Sequence, residues 1–129
     1  MSEPLWLDRE LVLLLHDDIL AATGGAAGIR DEGLLDSALA RPLNRFAYEG
    51  LVDIVELAAT YAVAIASNHP FIDGNKRSAF MALGLFLEEN GLTLTSTDDD
   101  ATEAMLGVAR GEVTIEALAR WLGTRVAPF

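Results

Sequence analysis

The sequence predicts an all-α fold, a compact helical bundle in which two buried central helices flank a polar loop. Three observations predict it. Apolar residues recur at helical spacing along most of the chain, and two segments, from Leu57 to Ala66 and over 78–90, are apolar or small on almost every side. The rare polar chemistry is pooled between those two segments, in "NHPFIDGNKRSAF" at residues 68–80. At 129 residues and 51% hydrophobic, the chain has the length of a single domain, 1–129, and can bury a core without disulfides or a structural metal.

The elements follow in order. "DRELVLLLHDDILAAT" (8–23) places Leu11, Leu14, Leu15 and Ile19 at helical spacing, and the following Gly pair stops it. "GIRDEGLLDSALARP" reads as a loop and a short helix at about 32–40, ended by Pro42. "LNRFAYEG" fits a short helix, an irregular loop or a small hairpin. "DIVELAATYAVAIASN" (53–68) opens with Asp53 and Glu56 in the spacing of a capping box and is the first central helix. "SAFMALGLFLEEN" (78–90) is the second, and Asn90-Gly91 stops it. "LTLT" makes a short strand or an extended link. Two amphipathic helices, in "DDDATEAMLGVARG" and "TIEALARWLGTR", complete the chain, with Asp98, Asp99 and Asp100 in the first turn of the former. There is no internal repeat and no linker that splits the chain.

Composition excludes several classes. The net charge is −11, from nine basic and twenty acidic residues, which argues against a phosphate-backbone footprint and so against direct nucleic-acid binding. With no cysteine, neither a disulfide nor a thiolate metal site can form, in keeping with a reducing compartment. "MSEPLWLDRE" lacks the pattern of a signal peptide, and charges or Gly break the longest apolar runs. A cytoplasmic protein with no membrane contact is expected. Any anion site must be local and built from few cations, which singles out Lys76, the chain's only lysine, and Arg77.

The segment 68–80 has a bland reading, a polar turn between helices, and a sharper one, an active site. Pro70 disfavours helical geometry at His69, so the first central helix must end there. Phe71 and Ile72 can anchor the link, Gly74 permits a sharp turn, and Asn75 opens the second central helix. A helix N-terminus carries unpaired N–H groups and partial positive charge, which suit a phosphate. Lys76 and Arg77 oppose that dipole, a misfit explained by a bound polyphosphate or by a salt bridge to some distant carboxylate. Asp73 is a hard oxygen ligand of the kind Mg²⁺ takes together with phosphates, and His69 is a neutral-pH base. Together they are the parts needed to transfer a group from a nucleoside triphosphate to a hydroxyl.

"HPFIDGNKR" resembles the signature of the Fic/Doc superfamily, whose Fic branch reads H-x-F-x-[D/E]-G-N-G-R-x-x-R. The likeness is closer to the death-on-curing (Doc) toxins of type II toxin–antitoxin systems, the branch with Lys after the Asn. "LHDDILAATGGAAGIRDEGLLDSALARP", "AYEG", "ATYAVAIASNHPF" and "FLEENG" resemble the Doc pattern in the same order, so the likeness covers nearly the whole chain. It implies a Fic/Doc helical bundle with His69 as general base, Asp73 as the Mg²⁺ ligand, and Asn75, Lys76 and Arg77 as phosphate ligands. It also implies that Gly74 lets backbone amides face the nucleotide, that Phe71 is a buried anchor, and that ATP and Mg²⁺ are required. Lys76 replaces the second Gly of the Fic branch, and Phe80 stands where its final Arg would be. Those departures disfavour AMP transfer and imply phosphorylation of a protein hydroxyl, with translation elongation factor Tu as the family's target. In that reaction Lys76 and Arg77 would stabilise charge on the transferred group. The family also implies a Phd-type antitoxin whose flexible C-terminal segment folds onto an apolar groove, with the N-terminal and "GIRDEGLL" helices as candidate walls. The alternatives are a Fic-type nucleotidyl transferase, a non-catalytic antitoxin-binding module, and an enzyme that removes a phosphate-linked modification.

Other polar residues are assigned bland roles. His16 is structural or capping, Arg30 an internal ion-pair partner, and the Asp98–Asp100 run a solvated helix start. Trp6 and Trp121 are packing residues. Arg41, Arg45 and Tyr48 fall in the irregular segment where the superfamily carries a flap that aligns the target. They are candidate substrate contacts, with plain surface charge as the alternative.

Overall fold

The computed structural model describes residues 3–129. Its order is α1 (Arg9–Thr23), α2 (Glu32–Glu49), α3 (Ile54–Asn68), α4 (Asn75–Glu89), β1 (Leu92–Leu94), α5 (Asp98–Ala109), α6 (Ile115–Gly123) and β2 (Val126–Pro128). The expected helical bundle is present, and its centre is the pair α3 and α4, which share the largest interface between elements.

Nine residues of α3 are buried, from Leu57 to Ala62 and from Ala64 to Ala66, because small and apolar residues surround the helix. Alanines at 58, 59, 62, 64 and 66 keep its girth small, so that α2 and α6 as well as α4 pack closely on it. α4 buries Ala79, Ala82, Leu83, Phe86 and Leu87, and α1 and α5 also pack against it. Tyr61 lies in the core, with its ring 5.0 Å from that of Phe86. Its hydroxyl accepts from the Leu7 N–H, and burial pushes its pKa up to about 12. Trp6 stacks on Phe86 and meets Phe46 edge-on, the packing role its sequence position suggested.

The helix ends follow capping chemistry. Asp31, Asp53, Thr97 and Thr114 each accept a backbone N–H of the helix they precede. At α3 the capping box is only half made. Asp53 accepts from the Val55 N–H at 3.0 Å, whereas Glu56 turns to Arg45 instead of reaching back. Thr97 caps α5 and leaves Asp98, Asp99 and Asp100 exposed in its first turn, as expected of a solvated helix start.

Two elements differ from the sequence expectation. α2 does not stop before Pro42 but runs through it to Glu49, so "LNRFAYE" is helix and Gly50, left-handed at φ 68°, ends it. Proline removes one intrahelical bond, but Pro42 is itself buried, and packing of α2 on α3 outweighs the local penalty. "LTL" is strand β1, paired antiparallel with a C-terminal strand that local patterning missed, in the register Leu92↔Pro128 and Leu94↔Val126. Among the described residues, no helix is long and apolar enough to cross a membrane.

Candidate functional site at the start of α4

The motif loop joins the C-terminus of α3 to the N-terminus of α4 at the heart of the bundle. Phe71 is fully buried, and its ring stacks on that of His16, with centroids 3.8 Å apart and planes 11° from parallel. Burying a phenylalanine contributes roughly 2–3 kcal/mol, enough to pin the loop's midpoint. His16 is 1% exposed and donates from Nε2 to the Asp73 carbonyl at 2.7 Å. It is structural, as expected, yet it bears directly on the motif.

The segment 24–31 lies along the loop's other side and pairs with it like a short strand. Ile29 bridges Phe71; Arg30 N–H donates to the Pro70 carbonyl at 2.7 Å, and Ile72 N–H to that of Gly28 at 3.1 Å. The chain that covers the loop is therefore 24–31, not the segment containing Arg41, Arg45 and Tyr48. Arg45 instead binds Glu56 and Glu49 at the opposite end of α3, with Nη1 on the Thr60 hydroxyl. Glu56 stands thirteen residues before His69, about 20 Å along a helix. Arg41 and Tyr48 line a separate cavity with Arg45, away from the motif.

His69 caps α3 in the left-handed region, at φ 54° and ψ 52°, the one non-glycine residue with positive φ among the described residues. Such a conformation costs about 1–2 kcal/mol and must be held from outside. Arg30 holds it. Its Nε donates to the His69 carbonyl at 2.7 Å and its Nη2 to that of Asn68 at 3.0 Å. Arg30 thus grips backbone carbonyls at a helix C-terminus, where a cation is favoured, rather than the carboxylate the sequence suggested.

Asp73 is fixed from two directions. Its carbonyl takes the His16 bond, and its Oδ2 accepts from the Ala26 N–H at 2.7 Å. Gly25, at φ 122°, permits that approach, since a Cβ there would lie 3.3 Å from the Asp73 Cβ. Gly74, at φ 81°, turns the chain into α4.

Asn75 is 5% exposed. Its Oδ1 accepts from the Phe71 N–H and its Nδ2 donates to the Phe71 carbonyl, both at 2.9 Å, while Nδ2 also lies 3.1 Å from His69 Nδ1. Its side chain therefore binds the loop to itself.

Lys76 is half-buried and Arg77 exposed; the latter donates to the Thr23 hydroxyl at 3.3 Å. Among the described residues neither forms an ion pair, so the salt-bridge explanation of their misfit with the helix dipole is not realised. The first intrahelical bond of α4 is Ser78 N–H to Gly74, at 2.9 Å, which leaves the preceding N–H groups without helical acceptors. His69, Asp73, Gly74, Asn75, Lys76 and Arg77 converge with Ile72 on one open cavity of about 270 Å³.

A larger groove of about 480 Å³ adjoins it. Its walls include Ile19 and Thr23 of α1, Phe80 and Met81 of α4, and Asp98 and Met105 of α5, with Lys76 and Arg77 shared between the two spaces. This groove is bounded by α1, α4 and α5.

A model of the Fic/DOC family matches residues 6–87. The chain belongs to the Fic/DOC family. Within the family it is similar to "Protein kinase doc" of Escherichia phage P1, 36% identical over 113 residues, which cover 88% of this chain and 89% of that relative. It is also 36% identical to "Toxin Doc" of Mycolicibacterium smegmatis over 117 residues, 88% of each chain. The family match includes the whole motif loop, both central helices up to Leu87, and the covering segment 24–31.

The histidine on α1 carries a signal in the sequence that helical spacing makes readable. His16 falls in register with Val12, Ile19 and Leu20 on the buried face of the helix, where a polar side chain needs a partner. The covering segment is harder to foresee, because its pairing partner lies about forty residues away.

Proposed function

We propose that this chain is a Doc-type toxin that transfers the γ-phosphoryl group of ATP to a hydroxyl of a protein target, with translation elongation factor Tu as the expected substrate. The observation that carries the reading is the cavity at the start of α4. It gathers two cations that form no ion pair among the described residues, unsatisfied helix N–H groups, a carboxylate and a histidine. In a chain of net charge −11, cations left without carboxylate partners favour an anionic ligand of several charges.

The residues have separable tasks. Lys76, Arg77 and the first N–H groups of α4 bind the phosphates and stabilise charge as the phosphoryl group moves. His69 takes the proton of the attacking hydroxyl. Asn75 has only its backbone N–H to offer a phosphate, because its amide side chain is occupied by Phe71 and His69.

The donor set fits Mg²⁺. Among the described residues no three His, Cys, Asp or Glu side chains cluster, so the protein alone makes no metal cage. Asp73, with Oδ2 taken by Ala26, offers Oδ1, which suits an ion that draws its remaining ligands from phosphates and water. When bound, Mg²⁺ would offset negative charge on the nucleotide phosphates.

The branch rests on Lys76 and Phe80. Phe80 lines the apolar groove instead of adding a cation to the phosphate cavity. The test is to incubate the protein with Mg²⁺, elongation factor Tu and ATP labelled at the α or the γ phosphate. Label on the target from the γ position alone is expected; label from the α position alone makes the chain a nucleotidyl transferase. Growth arrest that survives His69→Ala would instead favour a non-catalytic module.

A Phd-type antitoxin completes the reading. Its C-terminal segment would lie in the groove between α1, α4 and α5, whose apolar walls suit a segment that folds on binding. Because the groove shares Lys76 and Arg77 with the cavity, an occupant carrying acidic residues would also cover the phosphate site.

A further inference from the structure

The hydrogen-bond network around Asn75 determines more than the shape of the loop. An amide side chain can be turned end for end, but here the backbone decides its orientation. The Phe71 N–H can only donate and the Phe71 carbonyl can only accept, and each lies 2.9 Å from one end of the amide. Oδ1 must therefore face the N–H, and Nδ2 must face the carbonyl. One Nδ2 hydrogen is used on that carbonyl. The other is left for the remaining neighbour, His69 Nδ1, at 3.1 Å.

A donor aimed at Nδ1 requires a lone pair on Nδ1. A neutral imidazole carries one proton, so that proton must sit on Nε2. In this form the other ring nitrogen of His69, which lines the cavity, carries an N–H in place of a lone pair. To accept a proton at Nε2, the ring must first lose the Nε2 proton and take one up at Nδ1. That form places an Nδ1–H against the Asn75 Nδ2–H, two donors facing each other, and cannot keep the present contact.

We propose that Asn75 is a positioning residue that holds resting His69 in its Nε2–H form, keeping the general base switched off until the Asn75–His69 contact opens. This rests on the reading of His69 as the base and adds its regulation. It also separates two functions of one side chain. The Asn75 bonds to Phe71 shape the loop, whereas its bond to His69 fixes where the proton lies.

Nitrogen NMR of the uniformly ¹⁵N-labelled protein tests this directly, in alkaline buffer and without nucleotide or target. The chain has two histidines, so His69→Ala assigns the spectrum by loss of signal. His16, whose Nε2 donates to a carbonyl, provides an internal Nε2–H reference. For His69 we expect a protonated Nε2, an unprotonated Nδ1, and a nitrogen–nitrogen coupling across the hydrogen bond from Asn75 Nδ2. Asn75→Asp offers a carboxylate oxygen in place of the Nδ2–H donor, so a proton should appear on Nδ1. A wild-type His69 protonated at Nδ1, or one without the coupling to Asn75, overturns the proposal. So does a folded Asn75→Asp variant in which His69 keeps its proton on Nε2 alone. The wild-type measurements stand even if that variant does not fold. No catalytic turnover is involved, so failure of the phosphorylation assay would not be mistaken for failure of this inference.

Discussion

The two ends of α3 handle positive charge in opposite ways. At its N-terminal end Arg45 is gripped by Glu56 at 2.7 Å, Glu49 at 3.3 Å and the Thr60 hydroxyl at 2.9 Å. Burial works against its charge, but hydrogen bonds to Glu49 and Glu56 outweigh that and hold its pKa above the ordinary arginine value. At the C-terminal end Lys76 and Arg77 face an open cavity with no carboxylate partner among the described residues, although the chain has twenty acids. The first cation is part of the fold's stability. The second pair is left available, which is the contrast on which the proposed division of function and architecture between the two ends of the helix rests.

The sharpest break in that comparison comes from the motif end, if it carries the proposed transfer. His69→Ala should lower phosphoryl transfer by about 10²–10⁴-fold, and Arg77→Ala by about 10²–10³-fold. Arg77→Ala should leave unfolding free energy within about 0.5 kcal/mol, because the side chain is exposed. A urea titration beside a γ-label assay checks both, and a large stability loss in Arg77→Ala would refute the division. Arg45→Ala is the mirror experiment. It should cost about 2 kcal/mol of stability by leaving Glu56 and Thr60 without their partner, with transfer unchanged per folded molecule.

The glycines of the covering segment refine the comparison. Gly24 and Gly25 both have positive φ, but a Cβ at Gly24 meets nothing within 4 Å, whereas one at Gly25 meets Leu20 at 3.1 Å and Asp73 at 3.3 Å. Both Ala variants should lose about 1–2 kcal/mol to backbone strain. Only Gly25→Ala should also weaken Mg²⁺-dependent nucleotide binding, by about 10–100-fold, the range seen when support for a metal ligand is lost. Calorimetric titrations of the two variants separate strain from crowding, and equal losses of binding would remove the role given to Gly25. The smallest effect is expected at Arg30. Releasing the His69 and Asn68 carbonyls in Arg30→Ala should slow transfer about tenfold, equivalent to about 1.4 kcal/mol, with nucleotide affinity retained.

Much of this site is legible in the sequence, because its residues are adjacent along the chain. A helix end at His69, a turn at Gly74 and two cations at the next helix start are local facts, and the structure places them on one cavity. Local reasoning fails where a distant segment makes the decision. Pro42 has the look of a terminator, but burial against α3 carries α2 through it. Arg30 has the look of an ion-pair partner, yet it acts on carbonyls thirty-eight and thirty-nine residues away. Analogy places Arg41, Arg45 and Tyr48 in the target-aligning region, but the continuation of α2 past Pro42 sets them on a separate cavity. Asn75 is the subtlest case. Its place at the start of α4 is visible in the sequence, but the use of its amide depends on how Phe71 and His69 curl back towards it.

The covering segment has a practical consequence. The chain contains no cysteine, and Ala27 is exposed one residue beyond the amide that holds Asp73. A single thiol introduced by Ala27→Cys would be unique in the molecule and could carry an environment-sensitive dye. Such a probe would sit beside the amide that holds Asp73 without replacing any side chain that lines the cavity. Its emission would report arrivals and departures at the site in real time, including those of molecules that are never chemically altered there.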